Sequence, residues 1–157
     1  MNLPRAHDHA HAGHWPSPEA TGSVTLSFDD RHRRRLRLDL NEGGSILLDL
    51  PRAVAMADGD GLKLDSGGWV AVKAASEPVV EITADDRDQF IRIAWHLGNR
   101  HLPTQVSGEW LRIRPDHVIE EMVVGLGGTI RHIDAPFQPE GGAYEGHKHS
   151  HGDHRHD

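Results

Sequence analysis

Between residues 23 and 72 the apolar side chains recur at every second position: Val24, Leu26 and Phe28; Leu36, Leu38 and Leu40; Ile46, Leu48 and Leu50; Leu62 and Leu64; Val70 and Val72. A period of two sends alternate side chains to opposite faces of a strand, so each run predicts a strand with one buried face. Clusters rich in Gly, Asp and Asn at residues 41–44, 58–61 and 65–68 supply the turns between them. The prediction is a small, mostly antiparallel β-domain over residues 21–75. The basic run at residues 31–35 reads as a solvated strand face.

Residues 74–78 read as a short linker, and beyond them the rhythm changes. Residues 79–82 predict a strand, and Thr83 an N-cap with Asp85 and Asp86 in the first helical turn. From about residue 84, Phe90, Ile91, Ile93, Ala94 and Leu97 follow helical spacing, and Gly98-Asn99 is the expected stop. Two short strands flank Ser107-Gly108 as a hairpin. A second helix over residues 116–126 puts Val118, Ile119, Met122, Val123 and Leu126 on one face, and glycines 125, 127 and 128 end it. A strand at 129–133 closes the order β-α-β-β-α-β, the ferredoxin-like arrangement, over residues 78–140. The fold class is therefore α+β.

Composition narrows the function. With 157 residues, 36% hydrophobic and 5% aromatic, the chain supports a modest, divided core. A formal charge of -7 disfavours nucleic acid, which rewards a basic face. The absence of cysteine excludes disulfides and thiolate metal sites, so any metal is held by nitrogen and oxygen. No apolar run approaches the ~18 residues of a membrane span, and the amino terminus lacks the apolar centre of a signal peptide. The expectation is a cytoplasmic protein with no membrane partner. The outlier is histidine, with 14 residues. Protonating all of them would carry the net charge from -7 to about +7 and disable them as ligands.

Most of these histidines lie near the two ends. Residues 1–20 carry His7, His9, His11 and His14 among prolines and few apolar side chains, and read as a disordered, loosely metal-binding arm. Residues 141–157 carry His147, His149, His151, His154 and His156 with no core-forming residues between them. They read as a flexible tail whose imidazoles capture divalent metal, with Asp153 and Asp157 as oxygen donors. Tethering raises the local concentration of such ligands at any fixed site.

Two further histidines bracket the end of the first helix. His96 and His101 are five residues apart, about 140° around a continued helix, so they do not share a face. His96 reads as packed before it reads as ligating, and stays a secondary candidate for metal with the amino-terminal histidines. His101 needs partners from elsewhere, either another segment or the same residue of a second subunit. A domain of about 60 residues gains from association, and a two-fold dimer would set two His101 side chains together. His117, at the start of the second helix, could chelate with Glu120, whereas His132 reads as structural.

The run His96-Leu97-Gly98-Asn99-Arg100-His101-Leu102-Pro103-Thr104-Gln105 closely resembles the signature of the UreE family, urease accessory proteins that carry nickel. Leu50-Pro51-Arg52 followed by Asp58-Gly59-Asp60 resembles the amino-terminal domain of that family, and Asp116-His117-Val118 matches a common Asp-His-Val. The resemblance implies a β-sandwich-like amino-terminal domain that binds protein partners. It implies a ferredoxin-like metal-binding domain and a His-rich carboxyl tail. It also implies a homodimer holding Ni(II) at its interface, with His101 as the principal ligand and His96 part of the signature only. Some relatives have a histidine two residues before His117, where this sequence has Pro115, so the resemblance does not carry a complete secondary site at His117.

The function so implied is a nickel metallochaperone, not an enzyme. It would deliver Ni(II) to apo-urease by ligand exchange, through the accessory GTPase UreG and the urease activation complex. Nickel comes from the resemblance alone, because imidazole suits Zn(II), Cu(II) and Ni(II) alike and these would compete. The alternative is a general divalent-metal buffer or storage protein acting through its His-rich termini. A metal-dependent hydrolase would need about three fixed ligands, an open position and a base, and the sequence offers only His117-Val118-Ile119-Glu120.

Overall fold

This computed structural model describes residues 2–141; His147, His149, His151, His154 and His156 lie outside the described residues. The chain divides into two units, one running to Pro78 with Asp134–Gln138 added, the other Val79–Ile133 with Pro139 and the described residues after it. Two sheets and two helices make the fold α+β.

The first unit is built on six strands: β1 (Arg5–Ala10), β2 (Ala20–Leu26), β3 (Arg35–Asp39), β4 (Ser45–Asp49), β5 (Gly61–Leu64) and β6 (Trp69–Ala74), in the sheet order β2-β6-β5-β1-β4-β3. The alternating residues do form its core: Val24, Leu26, Leu38, Ile46, Leu48, Leu50, Leu62, Leu64, Val70 and Val72 are all buried, with Ala6 and Met56. The turn at residues 41–44 reaches the opposite edge strand. Asn41 N–H donates to Ser23 O at 2.8 Å, and Ser23 donates from its N–H and Oγ to the Glu42 carboxylate at 2.8 and 2.7 Å. These bonds occupy groups on an edge that would otherwise offer a template for strand addition.

Three expectations for this unit change. Residues 5–10 are not a disordered arm but an interior strand, parallel to β4 and antiparallel to β5. The strand has one fully buried apolar side chain, Ala6, and is held mainly by its backbone ladders, which leave no hydrophobic period to read. The sheet is mixed, since β2 also pairs in parallel with β6. Arg31, expected on a solvated face, is only 3% exposed; its guanidinium donates to Leu26 O and Met56 O at 3.0 and 3.1 Å and to Phe137 O, satisfying three buried carbonyls.

The remaining elements, in the second unit apart from residues 76–78 and 134–136, are β7 (Ser76–Thr83), α1 (Arg87–Asn99), β8 (Gln105–Val106), β9 (Leu111–Ile113), α2 (His117–Gly125) and β10 (Thr129–Pro136), with strand order β10-β7-β9-β8. Ile93 and Leu97 of α1 and Val123 of α2 pack with Val80, Ile82, Leu111 and Ile113 of the sheet. On the strands, Glu81 of β7 joins Arg112 of β9 to Arg131 of β10, at 2.9 and 2.7 Å. Asp86, not Thr83, caps α1, accepting from Asp88 N–H. The linker shrinks to Ala75, whose N–H bonds Leu26 O at 2.9 Å. Among the described residues no helix is long and apolar enough to cross a membrane.

Candidate metal centres

The two helices end alike but on different residues. After α2, Gly127 takes φ +94°, its N–H reaching Val124 O at 3.0 Å while Gly128 N–H reaches Val123 O at 2.9 Å. This is the glycine-capped stop that satisfies trailing carbonyls. After α1, Gly98 lies inside the helix, Arg100 is the C-cap, and the left-handed position falls to His101, with φ 58° and its N–H on Gly98 O at 3.0 Å. His101 is the one non-glycine with positive φ among the described residues. The expected stop at Gly98-Asn99 is therefore displaced onto the histidine itself. That backbone carries a strain that glycine would not, and His101 is exposed.

His96 is half-buried in the last turn, edge-on to the Trp95 ring at 5.1 Å. Ile91 and Trp95, one turn apart on α1, are 53% and 63% exposed. His117 is exposed, and its Nε2 lies 3.0 Å from Glu121, not Glu120. Glu120 is engaged twice: Oε2 accepts Asp116 N–H at 2.9 Å while Asp116 caps Ile119 N–H, and Oε1 lies 2.8 Å from His132 Nε2. The His117–Glu120 chelate considered from spacing is thus replaced by two separate His–Glu pairs. Both i,i+3 and i,i+4 neighbours are within reach on a helix, and here Glu120 is held by Asp116 and His132.

The first unit assembles something sequence spacing did not. His9, His11 and Asp60 place one ligand atom each within 4.8 Å of one another. His9 Nε2 lies 2.6 Å and His11 Nδ1 4.0 Å from Asp60 Oδ2. The Asp60 carboxylate also accepts Ala12 N–H at Oδ1 and Ala57 N–H at Oδ2, each at 2.9 Å. Burial pushes its carboxyl up, but hydrogen bonds from His9, Ala57 and Ala12, with the neighbouring imidazole, outweigh it and leave the carboxyl below its ordinary range. His9 and His11 were anticipated as loose contacts. Asp60 enters the sequence reading as a turn residue and as part of the family-like Asp58-Gly59-Asp60, not as a ligand, and nothing in its sequence neighbourhood separates a buried turn aspartate from an exposed one. His7 and His14 are exposed and stand outside the group.

Residues 77–157 match the model of the UreE urease accessory protein, C-terminal domain, and residues 3–75 that of the UreE urease accessory protein, N-terminal domain. The chain belongs to the UreE family. Among similar UreE proteins, the urease accessory protein UreE of a Bradyrhizobium species is 56% identical over 133 residues, 85% of this chain and 63% of its own. The chain thus spans under two-thirds of that relative's length. The urease accessory protein UreE of Agrobacterium fabrum is 47% identical over 94% of this chain and 89% of its own. That of Ruegeria pomeroyi is 43% identical over 97% of this chain and 98% of its own. Both domains of the family are represented in the chain.

Proposed function

We propose that this UreE-family chain is a nickel metallochaperone that carries Ni(II) as cargo and passes it on by ligand exchange. Two copies associate through the second unit, and the two His101 imidazoles hold the ion between them. Tail histidines among His147, His149, His151, His154 and His156 complete or exchange the coordination sphere, with His117 as a further ligand and His96 positioning. Zn(II) and Cu(II) compete for the same imidazoles. Delivery runs through UreG and the activation complex to apo-urease in the cytoplasm, and no bond-making catalysis is involved. The second unit is read as ferredoxin-like, supported by the element order and the strand order β10-β7-β9-β8. The first is read as a sandwich-like partner-binding domain.

The observation that carries the reading is the strained, exposed His101 closing α1, where α2 uses glycine for the same turn. A residue held in an unfavourable backbone conformation at an exposed position points to a role outside folding. Association is supported by exposed apolar side chains. Ile91, Trp95, Val106, Val118 and Val124 are all 50% or more exposed and all lie in the second unit.

The test is a Ni(II) titration followed by native mass measurement on the intact chain, a chain ending at residue 141, and His101→Ala. About one ion shared between two chains should survive the truncation, and that shared ion should disappear with His101→Ala, whatever each chain binds singly. A metal buffer acting through its His-rich termini would instead show no ion shared between two chains, would lose capacity in step with the tail histidines removed, and would ignore His101→Ala. Deleting residues 1–20 is not an equivalent experiment, because it removes an interior strand.

A further inference from the structure

We propose that the first unit carries a second, built site for a borderline divalent cation, with His9, His11 and Asp60 as its three protein ligands. It goes beyond the interface reading and stands whether or not His101 holds metal.

The site is made by a fault in strand pairing. Along β1, Ala6 faces Leu64, but Asp8 faces Lys63, so two steps on β1 match one on β5. The extra residue is His7. Strict alternation would place His9 on the face opposite Ala6. With one residue added, His9 pairs with the fully buried Leu62 and Asp8 with the exposed Lys63, so His9 turns inward and is 9% exposed at its side chain. Re-aiming a side chain is what a bulge does to a strand. Asp60 waits at 2% side-chain exposure.

His11 is placed by different means. It opens a turn in which His14 N–H returns to His11 O at 2.9 Å. The following residue, Ala12, donates its N–H to Asp60. Trp15 then clamps the turn, its Nε1 donating to Gly59 O at 3.0 Å and its ring lying over Trp69 at 5.3 Å between centroids. The ring fits only because residue 61 is glycine; a Cβ there would sit 2.4 Å from Trp15 Cδ2. The neighbours on both sides of Asp60 thus hold the His11 turn in place, so little ordering remains for an ion to impose.

The donor set fits the chemistry. Metal–nitrogen and metal–oxygen bonds of about 2.0–2.2 Å place tetrahedral ligand atoms roughly 3.4 Å apart. The observed separations from Asp60 Oδ2, 2.6 and 4.0 Å, straddle that value. Small movements of two side chains, one of them the 78% exposed His11, admit the ion. The ion takes the place of the hydrogen bond between His9 Nε2 and Asp60 Oδ2: the single proton of the neutral imidazole sits on Nδ1, leaving the Nε2 lone pair for the ion. Two imidazoles and a carboxylate suit Ni(II), Zn(II) or Cu(II) over Mg(II) or Ca(II), which take oxygen ligands. The open side toward His11 leaves positions for water or an exchanging ligand.

The experiment uses the full-length chain with His101→Ala and with His147, His149, His151, His154 and His156 each changed to Asn. Ni(II) and Zn(II) are titrated separately by calorimetry, with native mass measurement of stoichiometry. One ion per chain is expected. Adding His11→Ala, at an exposed side chain that leaves folding intact, should weaken binding about tenfold or more, and His9→Gln likewise. Adding His7→Ala with His14→Ala should leave affinity unchanged. Circular dichroism of each variant without metal establishes that it is folded. No ion bound by the background chain, or equal loss from the His7/His14 pair, overturns the proposal; the latter would mean a diffuse histidine segment. Because His101 is absent throughout, neither outcome bears on the interface reading.

Discussion

Replacing His101 by glycine should leave the metal-free protein at least as stable while removing the ligand proposed for Ni(II). An L-residue in the left-handed region costs about 1–2 kcal/mol, with histidine among the more tolerant residues, so about 1 kcal/mol is a fair figure for φ 58° here. Glycine releases that strain but brings a looser unfolded chain, costing about 0.4–1 kcal/mol. The net gain over the natural residue therefore lies between about 0 and 0.6 kcal/mol. The cleaner comparison is His101→Gly against His101→Ala. Both lack the imidazole, but alanine bears about 1–2 kcal/mol of left-handed strain; after the same unfolded-chain cost of about 0.4–1 kcal/mol, glycine should be the more stable by roughly 0.5–1 kcal/mol, about 1–4 °C in Tm. Urea and thermal unfolding of both variants in a chelator, at one fixed protein concentration, measure the difference. Neither variant should retain the tight Ni(II) ion. A glycine variant no more stable than the alanine variant would refute the claim that His101 is held in place against its backbone preference.

Three other outcomes follow from the packing and charge. Glu81 is held ionised below its ordinary pKa by hydrogen bonds from Arg131 and then Arg112. A depressed carboxyl contributes stability above the unfolded-state pKa of about 4.3 and loses it as pH falls through the folded value. Glu81→Gln should accordingly cost about 1–3 kcal/mol at pH 7 in urea unfolding, with the gap from the natural chain closing below about pH 4.3; a gap independent of pH counts against the ionised triad. Gly128→Ala would place a Cβ 2.7 Å from Val123 Cγ1 and 2.9 Å from Ile93 Cδ1, so thermal unfolding should show a loss of about 1–3 kcal/mol. Arg31→Met takes the guanidinium donor from the Met56 and Phe137 carbonyl oxygens, while Leu26 O keeps the Ala75 N–H; a loss of several kcal/mol in denaturant unfolding is expected, about 1–3 per buried group left unpaired, and an effect under about 0.5 kcal/mol would place it with ordinary surface changes.

What the chain's own pattern determined is the part that repeats. Period-two residues such as Leu36, Leu38, Ile46 and Leu48 located strands because a half-buried sheet enforces alternation. Helical spacing of Ile93, Leu97 and Val123 found the helices, because each must lay one stripe against a sheet. The signature around His101 was legible for a different reason, being an unusual order of residues shared with a family. Tertiary structure alone decided the rest. β1 exists because β4 and β5 supply its backbone partners, and a hydrogen-bond ladder has no sequence code. His101, not Gly98 or Asn99, takes the left-handed turn because helix length is settled by how far α1 packs through Leu97. Asp60 meets His9 across 51 residues of chain, since a single bulged residue reverses which face of the strand looks inward. Local spacing cannot express that inversion, because it belongs to the pairing of two strands and not to either one.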